Sequence, residues 1–550
     1  MVTLAPRSCA DARACCAAHR LWKRSRRISA TVGLAIFALT GRAAAIDPGT
    51  ANPFELASAS SSAGRIDELV FARLQQAGLE HAPRCSDAVF VRRAFIDVIG
   101  TLPTAAETRQ FLQDPRPQKR AALIDRLLAR DEFADYWTMK WSDLLRVKAE
   151  FPVNLWPNAA QAYHRWIHTA VRDNLPYDQF ARELLTANGS NFSAGQVNFF
   201  RAVQNKEPQT IARAVALTFM GTRAERWPAN RLAALSAFFA QIGYKSTGEW
   251  KEEIVFFDPN KGAAAATAPA IFPDGTVATL TPGVDPRSVF ADWLTSPQNP
   301  WFARAAANRV WSWLLGCGIV HEPDDLRPDN PPVNPELLAY LEQRFIAAHF
   351  DMKQLMREIL NSTTYQLSSI PRGDQAAAEA NFACYTVRRL DAEVLIDAIN
   401  QITGTTEKYS SSIPEPFTFV PEDQRSIALP DGSITSSFLE MFGRPPRDTG
   451  LEAERNNRIT DSQRLYLLNS TQVQRKLEQG PKIQALLRAK RTGGGEIVDD
   501  LYLTILSRRP TGEERRTAAA YMETAGRDRR AAAVDLAWAL INSAEFLHRH

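Results

Sequence analysis

From Ile66 onward apolar residues recur at helical spacing, and this period limits what most of the chain can become. Ile66, Leu69, Val70, Leu74 and Ala77 form one stripe that ends at Gly78, the residue type best suited to close a helix in the left-handed region. The same period predicts helices over 86–99, 118–129, 133–145, 159–172, 177–187, 209–220 and 231–242. Pro103-Thr104 followed by Glu107 is a capping box, in which hydroxyl and carboxylate each satisfy a backbone N–H at a helix start. Pro510-Thr511 with Glu514 repeats it near the C-terminus; shared capping chemistry accounts for the likeness without a duplication.

Between 246 and 285 the period lapses. The β-like runs 254–257 and 276–280 flank an Asn260-Lys261-Gly262 turn, which predicts a small hairpin or linker element. Helical pattern resumes at Arg287, breaks at about 368–378, and runs to Gly404. Residues 405–460 form a long irregular excursion rich in Pro, Ser and Gly, of a kind that is usually functional or disordered. Helical pattern returns from 462 to 547. The expected fold is mainly α, with helical modules over 64–245 and 286–550 joined by the small β element at 246–285.

The first 63 residues read differently. Lys23–Arg27 is basic, 28–40 is apolar, and Ala43-Ala44-Ala45 follows, the order of a secretory signal peptide over 1–45. The apolar run is shorter than the roughly 20 residues that a membrane span takes, and no later stretch reaches that length. Residues 46–63 are Ala/Ser-rich and read as a flexible entry. The expected location is therefore outside the cytoplasm, periplasmic or extracellular.

Cleavage changes the charge argument. The leader holds eight basic residues and one acidic, so the 65 Lys+Arg and 61 Asp+Glu of the full chain become 57 and 60, a net charge of −3. Nothing in that balance recommends a nucleic-acid partner. Cys85, Cys317 and Cys384 remain of six cysteines, an odd and widely spaced set that reads as buried thiols rather than a disulfide framework.

Most catalytic signatures are absent. There is no G-x-S-x-G elbow, no G-x-G-x-x-G, and no phosphate loop; the nearest, Gly243 to Gly248, is followed by Glu249 where a lysine belongs. His164 and His168 have a metal-compatible spacing, but Arg165 stands where a zinc protease carries its glutamate, and no third ligand is evident, so no metal is expected. Asp324-Asp325 and Glu252-Glu253 are paired carboxylates, which read as caps or solvated faces because adjacency alone does not tune an acid/base pair.

Two segments crowd charge, Gly and Pro among aromatics. One runs from Asn299 through Asn308, Arg309 and Trp311 to Asp325 and Arg327; the other contains Arg444, Arg447, Glu452, Glu454 and Arg455. These ten residues, Asn308 to Arg455, are the candidate ligand-binding set. Two readings stay open for the second segment: a buried ion network that pins a loop, or exposed arginines waiting for an anionic ligand.

The motifs are also recognisable as a set. Phe90–Gly100 with Leu102-Pro103-Thr104 and Ala170–Phe180 mark the first module; Ala291–Pro297, Asn299–Arg304, Asn308–Trp311, Pro335–Leu338, Tyr365–Ser369 and Phe442–Pro445 mark the second. Together they resemble the secreted planctomycete-type proteins that join two domains of unknown function and are often associated with cytochrome c. The resemblance implies a C-x-x-C-H haem motif near 222–228, where this chain reads Thr222-Arg223-Ala224-Glu225-Arg226-Trp227-Pro228. No cysteine lies between Cys85 and Cys317, so covalent haem is chemically impossible there, and no cofactor is expected. Other departures are Asn334, where the family has histidine, and the lack of cysteine between Thr449 and Arg455. The expectation is a binding or structural protein outside the cytoplasm, whose partner is a polysaccharide or another exported protein. The alternative is a hydrolase or lyase acting on extracellular polymers through the charges of 442–455.

Overall fold

The computed structural model describes residues 52–56, 62, 64–261, 270–489, 494–524 and 528–550; the leader assigned to 1–45 lies outside them. Nine helices open the described fold: α1 (Arg65–Ala77), α2 (Asp87–Ile99), α3 (Ala105–Gln113), α4 (Lys119–Leu128), α5 (Asp131–Leu144), α6 (Pro157–Arg172), α7 (Tyr177–Thr186), α8 (Pro208–Met220) and α9 (Ala229–Ser236). After the β element come α10 (Pro286–Leu294), α11 (Phe302–Leu315), α12 (Pro335–Ala347), α13 (Met352–Asn361), α14 (Gln375–Ala380), α15 (Ala392–Thr403) and α16 (Ser437–Met441). The last group is α17 (Asp461–Asn469), α18 (Thr471–Gln479), α19 (Pro481–Ala489), α20 (Gly494–Ile505), α21 (Gly512–Thr524), α22 (Arg529–Ile541) and α23 (Ala544–Leu547). The fold is mainly α, and none of these helices is long and apolar enough to cross a membrane.

Local chemistry explains the ends. Thr104 Oγ1 accepts from the Glu107 N–H at 3.2 Å while the Glu107 carboxylate accepts from the Thr104 N–H at 2.8 Å, the reciprocal pair that the sequence predicted. Thr511 and Glu514 repeat it at α21. Gly78 ends α1 at φ 66°, a left-handed backbone that a Cβ would strain.

Three expectations need correction. The helix predicted over 231–242 stops at Ser236, gives a short 3₁₀ turn at Ala237–Phe239, and becomes strand β2 (Ile242–Ser246), because Phe238 and Phe239 turn inward onto Phe290. The hairpin therefore joins β2 to β3 (Glu253–Phe257), with Tyr244 opposite Val255, rather than joining 254–257 to 276–280. Thr276–Leu280 contributes one bridge, Ile271 to Val277. A third strand, β1 (Gly189–Ser190), pairs with β3 on its other edge. Finally, part of the entry read as flexible is docked: Leu56 N–H donates to the Arg84 carbonyl at 2.9 Å and Ser86 N–H to the Phe54 carbonyl at 2.9 Å.

Core packing continues across the two modules. Trp137 and Trp141 of α5 lie 5.4 and 5.6 Å from the Trp313 ring of α11, and Tyr177 stacks on Phe302 at 4.7 Å. Arg92, buried in α2, donates to the Ile505 and Phe546 carbonyls at 2.8 Å each. Strands β4 (Arg388–Arg389) and β5 (His548–Arg549) bring the chain end against the same helices.

Candidate functional site

The segments singled out around 308–327 and 442–455 do meet. The Glu452 N–H donates to Asp324 Oδ2 at 2.6 Å, and Trp313 Nε1–H donates to Glu452 Oε2 at 2.8 Å. Arg309, 1 % exposed, donates to the other Asp324 oxygen at 2.9 Å and to the Thr218 carbonyl at 2.8 Å. Asn308 closes the following loop through both amide atoms, bonding the Val320 N–H and carbonyl at 2.9 and 3.1 Å. Trp311 is sealed edge-on against Phe382 at 5.1 Å. Asp325 sits between Arg226 and Arg327 at 2.9 and 3.0 Å; Arg327, half-exposed, also reaches Asp329.

What these residues join is interior. Arg455 grips Asp143 of α5 and Glu393 of α15, with nitrogens 2.6 Å from Asp143 Oδ2 and 2.7 Å from Glu393 Oε2. Arg447 donates to the other Asp143 oxygen at 2.9 Å, and Arg444 lies 3.5 Å from Glu393 while donating to the Asp431 and Ile434 carbonyls. Asp391, at the N-cap of α15 two residues before Glu393, takes Lys140 at 3.1 Å and Arg549 at 2.6 Å; Arg549 continues to Asp97, which also accepts from Tyr365 and Tyr385. Glu454 accepts from the Asp448 and Thr449 N–H groups.

Electrostatics follows from burial set against these partners. Burial opposes ionisation of Asp391, but Lys140, Arg549 and Arg455 outweigh it and hold the carboxyl well below its usual range. Glu393 is lowered in the same way by Arg455 and Arg444. Burial, joined by repulsion from Arg447, lowers Arg444 to about 10. Glu452 moves the other way: burial raises it, and neither Lys140 nor the Trp313 hydrogen bond restores it. All ten predicted residues are thus engaged, nine of them buried or half-buried and Arg327 through an exposed side chain, and none lines the open groove described below.

Sequence reasoning missed the other halves of this network: Asp97, Lys140 and Asp143 on helices, Asp391 and Glu393 at the start of α15, and Arg549 on β5. A signal existed. Glu393 and Asp397 interrupt an otherwise apolar helix, Ala392-Glu393-Val394-Leu395-Ile396-Asp397, where a charge is tolerated only if it is paired. Of the two histidines, His168 Nε2 lies 3.1 Å from Asp135 whereas the buried His164 Nε2 has no hydrogen-bond partner, and among the described residues no group of three His, Cys, Asp or Glu is arranged to hold a metal.

A groove of about 400 Å³ does open to solvent, between α3–α5 and α15 with the excursion. Thr104, Glu107, Arg130 and Glu132 line one wall; Asp397, Asn400, Gln401, Thr405, Asp423 and Arg425 line the other, with Lys482 beside them. Arg130 is neutralised by Glu107 and Glu132. Asp397 accepts from the Ser426 and Ile427 N–H groups at 2.8 and 3.1 Å, and burial raises its carboxyl to about 6 despite Arg425 at 3.9 Å. Arg425 is the less committed cation of this wall: its contact with Asp397 is long, and Glu132 on the opposite wall feels its charge without an ion pair within 4 Å among the described residues.

Fold and site define a mainly helical protein in which a long irregular segment is bound to both halves of the chain by a buried ion network. Residues 65–229 match the family model PSCyt2, a protein of unknown function (DUF1549), and residues 286–522 match PSD1, a protein of unknown function (DUF1553). The chain thus carries both domains, in the order that its motifs suggested. No curated protein and no solved structure matches it.

Proposed function

We propose that this is a binding protein acting outside the cytoplasm, which holds a hydroxyl-rich segment of an extracellular polysaccharide in the groove at Asp397 and Arg425. The observation that carries the reading is the groove itself. Its volume lies within the range of small-ligand sites, and its walls offer amides, hydroxyls and one loosely paired arginine. The basic, apolar, small-residue order of the first 45 residues supports the location. No observation favours the hydrolase or lyase reading: its residues, 442–455, are spent on one another and on α5 and α15, and Asp397 is committed to two backbone N–H groups.

The test is thermal unfolding of wild type and Arg425→Ala with soluble oligosaccharides. A ligand at about a hundred times its Kd stabilises by roughly 2.7 kcal/mol. Wild type should shift upward with at least one oligosaccharide and Arg425→Ala should not. A panel that moves neither protein, or both equally, refutes the groove.

A further inference from the structure

Four large aromatic residues stand exposed on three neighbouring or adjoining loops far apart in sequence: Phe151 at 78 %, Trp250 at 66 %, Phe417 at 45 % and Phe419 at 65 %. A fifth, Trp156, is half-buried and links the loops. Its ring centroid lies 5.3 Å from that of Phe417, and Lys251 Nζ lies 5.6 Å from the Trp156 ring and 5.3 Å from the Trp250 ring. Leaving aromatic faces in water forgoes the burial that such side chains ordinarily gain.

The loops are held rather than loose. In the first, Asn154 and Trp156 have positive φ of 59° and 73°; in the second, Lys251 has φ 64°. Non-glycine residues keep such conformations only where their surroundings impose them, and they collect at ligand sites. Here the anchors are visible. Val153 and Leu155 plug the core, and Trp156 N–H donates to the Ala149 carbonyl at 3.2 Å. Asn191 Nδ2 donates to the Lys251 carbonyl at 3.2 Å, and Arg201 reaches both Glu253 at 2.8 Å and the Leu155 carbonyl. The third loop comes from the 405–460 excursion, which the ion network fixes in place.

We propose that Phe151, Trp156, Trp250 and Phe417 form a stacking platform for the pyranose rings of an extended polysaccharide. The C–H faces of sugar rings are the apolar surface that aromatic faces match, here with Trp156 and Phe417 inclined at 59° to one another, and the Lys251 ammonium between two rings offers donors to the hydroxyls at their edges. The platform's composition separates this occupant from a protein. In 148–156, 247–252 and 411–420 the exposed large apolar side chains are all aromatic, Ile413 and Val420 being half-buried, so the surface offers rings without the exposed Met that enriches protein interfaces. The inference shares the ligand class of the proposed function but uses other residues, so either can fail alone.

Affinity electrophoresis through gels containing xylan, laminarin or hydroxyethylcellulose tests it. Wild type should be retarded by at least one polymer. Trp250→Ala and Phe417→Ala should each weaken that retention roughly tenfold, with melting temperatures within about 1 °C of wild type, while Arg425→Ala remains retarded. Passage of wild type through every gel unretarded, or retention unchanged in both aromatic variants, overturns the proposal. A dimer in sedimentation velocity that Trp250→Ala dissolves would assign the platform to a protein contact and overturn it equally.

Discussion

Replacing Arg455 with alanine removes the residue on which the buried network turns. Its guanidinium serves Asp143 and Glu393 together, at 2.6 and 2.7 Å, and both carboxylates belong to helices that the loop does not otherwise grip by a bidentate contact. In the variant Asp143 keeps Arg447 at 2.9 Å, but Glu393, with no exposed side-chain surface, keeps only Arg444 at 3.5 Å. Breaking a buried pair from one side costs about 3–5 kcal/mol, because the surviving charge stays buried. A cooperative unit of roughly 500 residues has an unfolding entropy near 1 kcal/mol/K, so the melting temperature should fall by about 3–5 °C. Differential scanning calorimetry of both proteins measures this directly. Adding Glu393→Gln should recover part of the loss, since it removes the orphaned charge while keeping hydrogen-bonding atoms. A single variant that melts within about 1 °C of wild type, or a double variant no better than the single, would refute the network as a source of stability.

Glu452→Gln should act in the opposite sense. Burial raises the folded-state pKa of Glu452 above 4.5, so ionising it costs stability as pH rises through the folded value; the amide keeps an acceptor for Trp313 and escapes that cost. Melting at pH 7 should therefore favour the variant, with the gap closing below about pH 4.5. Titration of the denatured, unreduced monomer should find three thiols, since Cys85, Cys317 and Cys384 are all free. Intact mass of the protein purified from its own host should correspond to a chain beginning at Ile46, and retention of Lys23–Arg27 would refute the leader.

Helix positions were legible because their causes are local. The stripe from Ile66 to Gly78 and the Thr104–Glu107 box each act within a few residues, and periodicity reads such effects directly. The failure at 237–242 is of the other kind: Phe238 and Phe239 suit a helix, but a distant helix offers Phe290, and β3 offers Ile242 a strand partner. Tertiary contact overrode propensity there.

The charged segments show the same division. Sequence alone marked Arg444, Arg447 and Arg455 as a burst of charge among Gly, Pro and aromatics, and left open a buried ion network or arginines exposed to an anionic ligand. Whether they face water or one another was decided only when folding brought Asp143 from about 300 positions away, and Asp391 and Glu393 from about 60. A guanidinium's pairing depends on which carboxylate lies within about 4 Å, and no local pattern encodes that distance. The aromatic platform is non-local for the same reason. Trp156, Trp250 and Phe417 are unremarkable where each stands in the chain, and become a surface only because three anchored loops end beside one another.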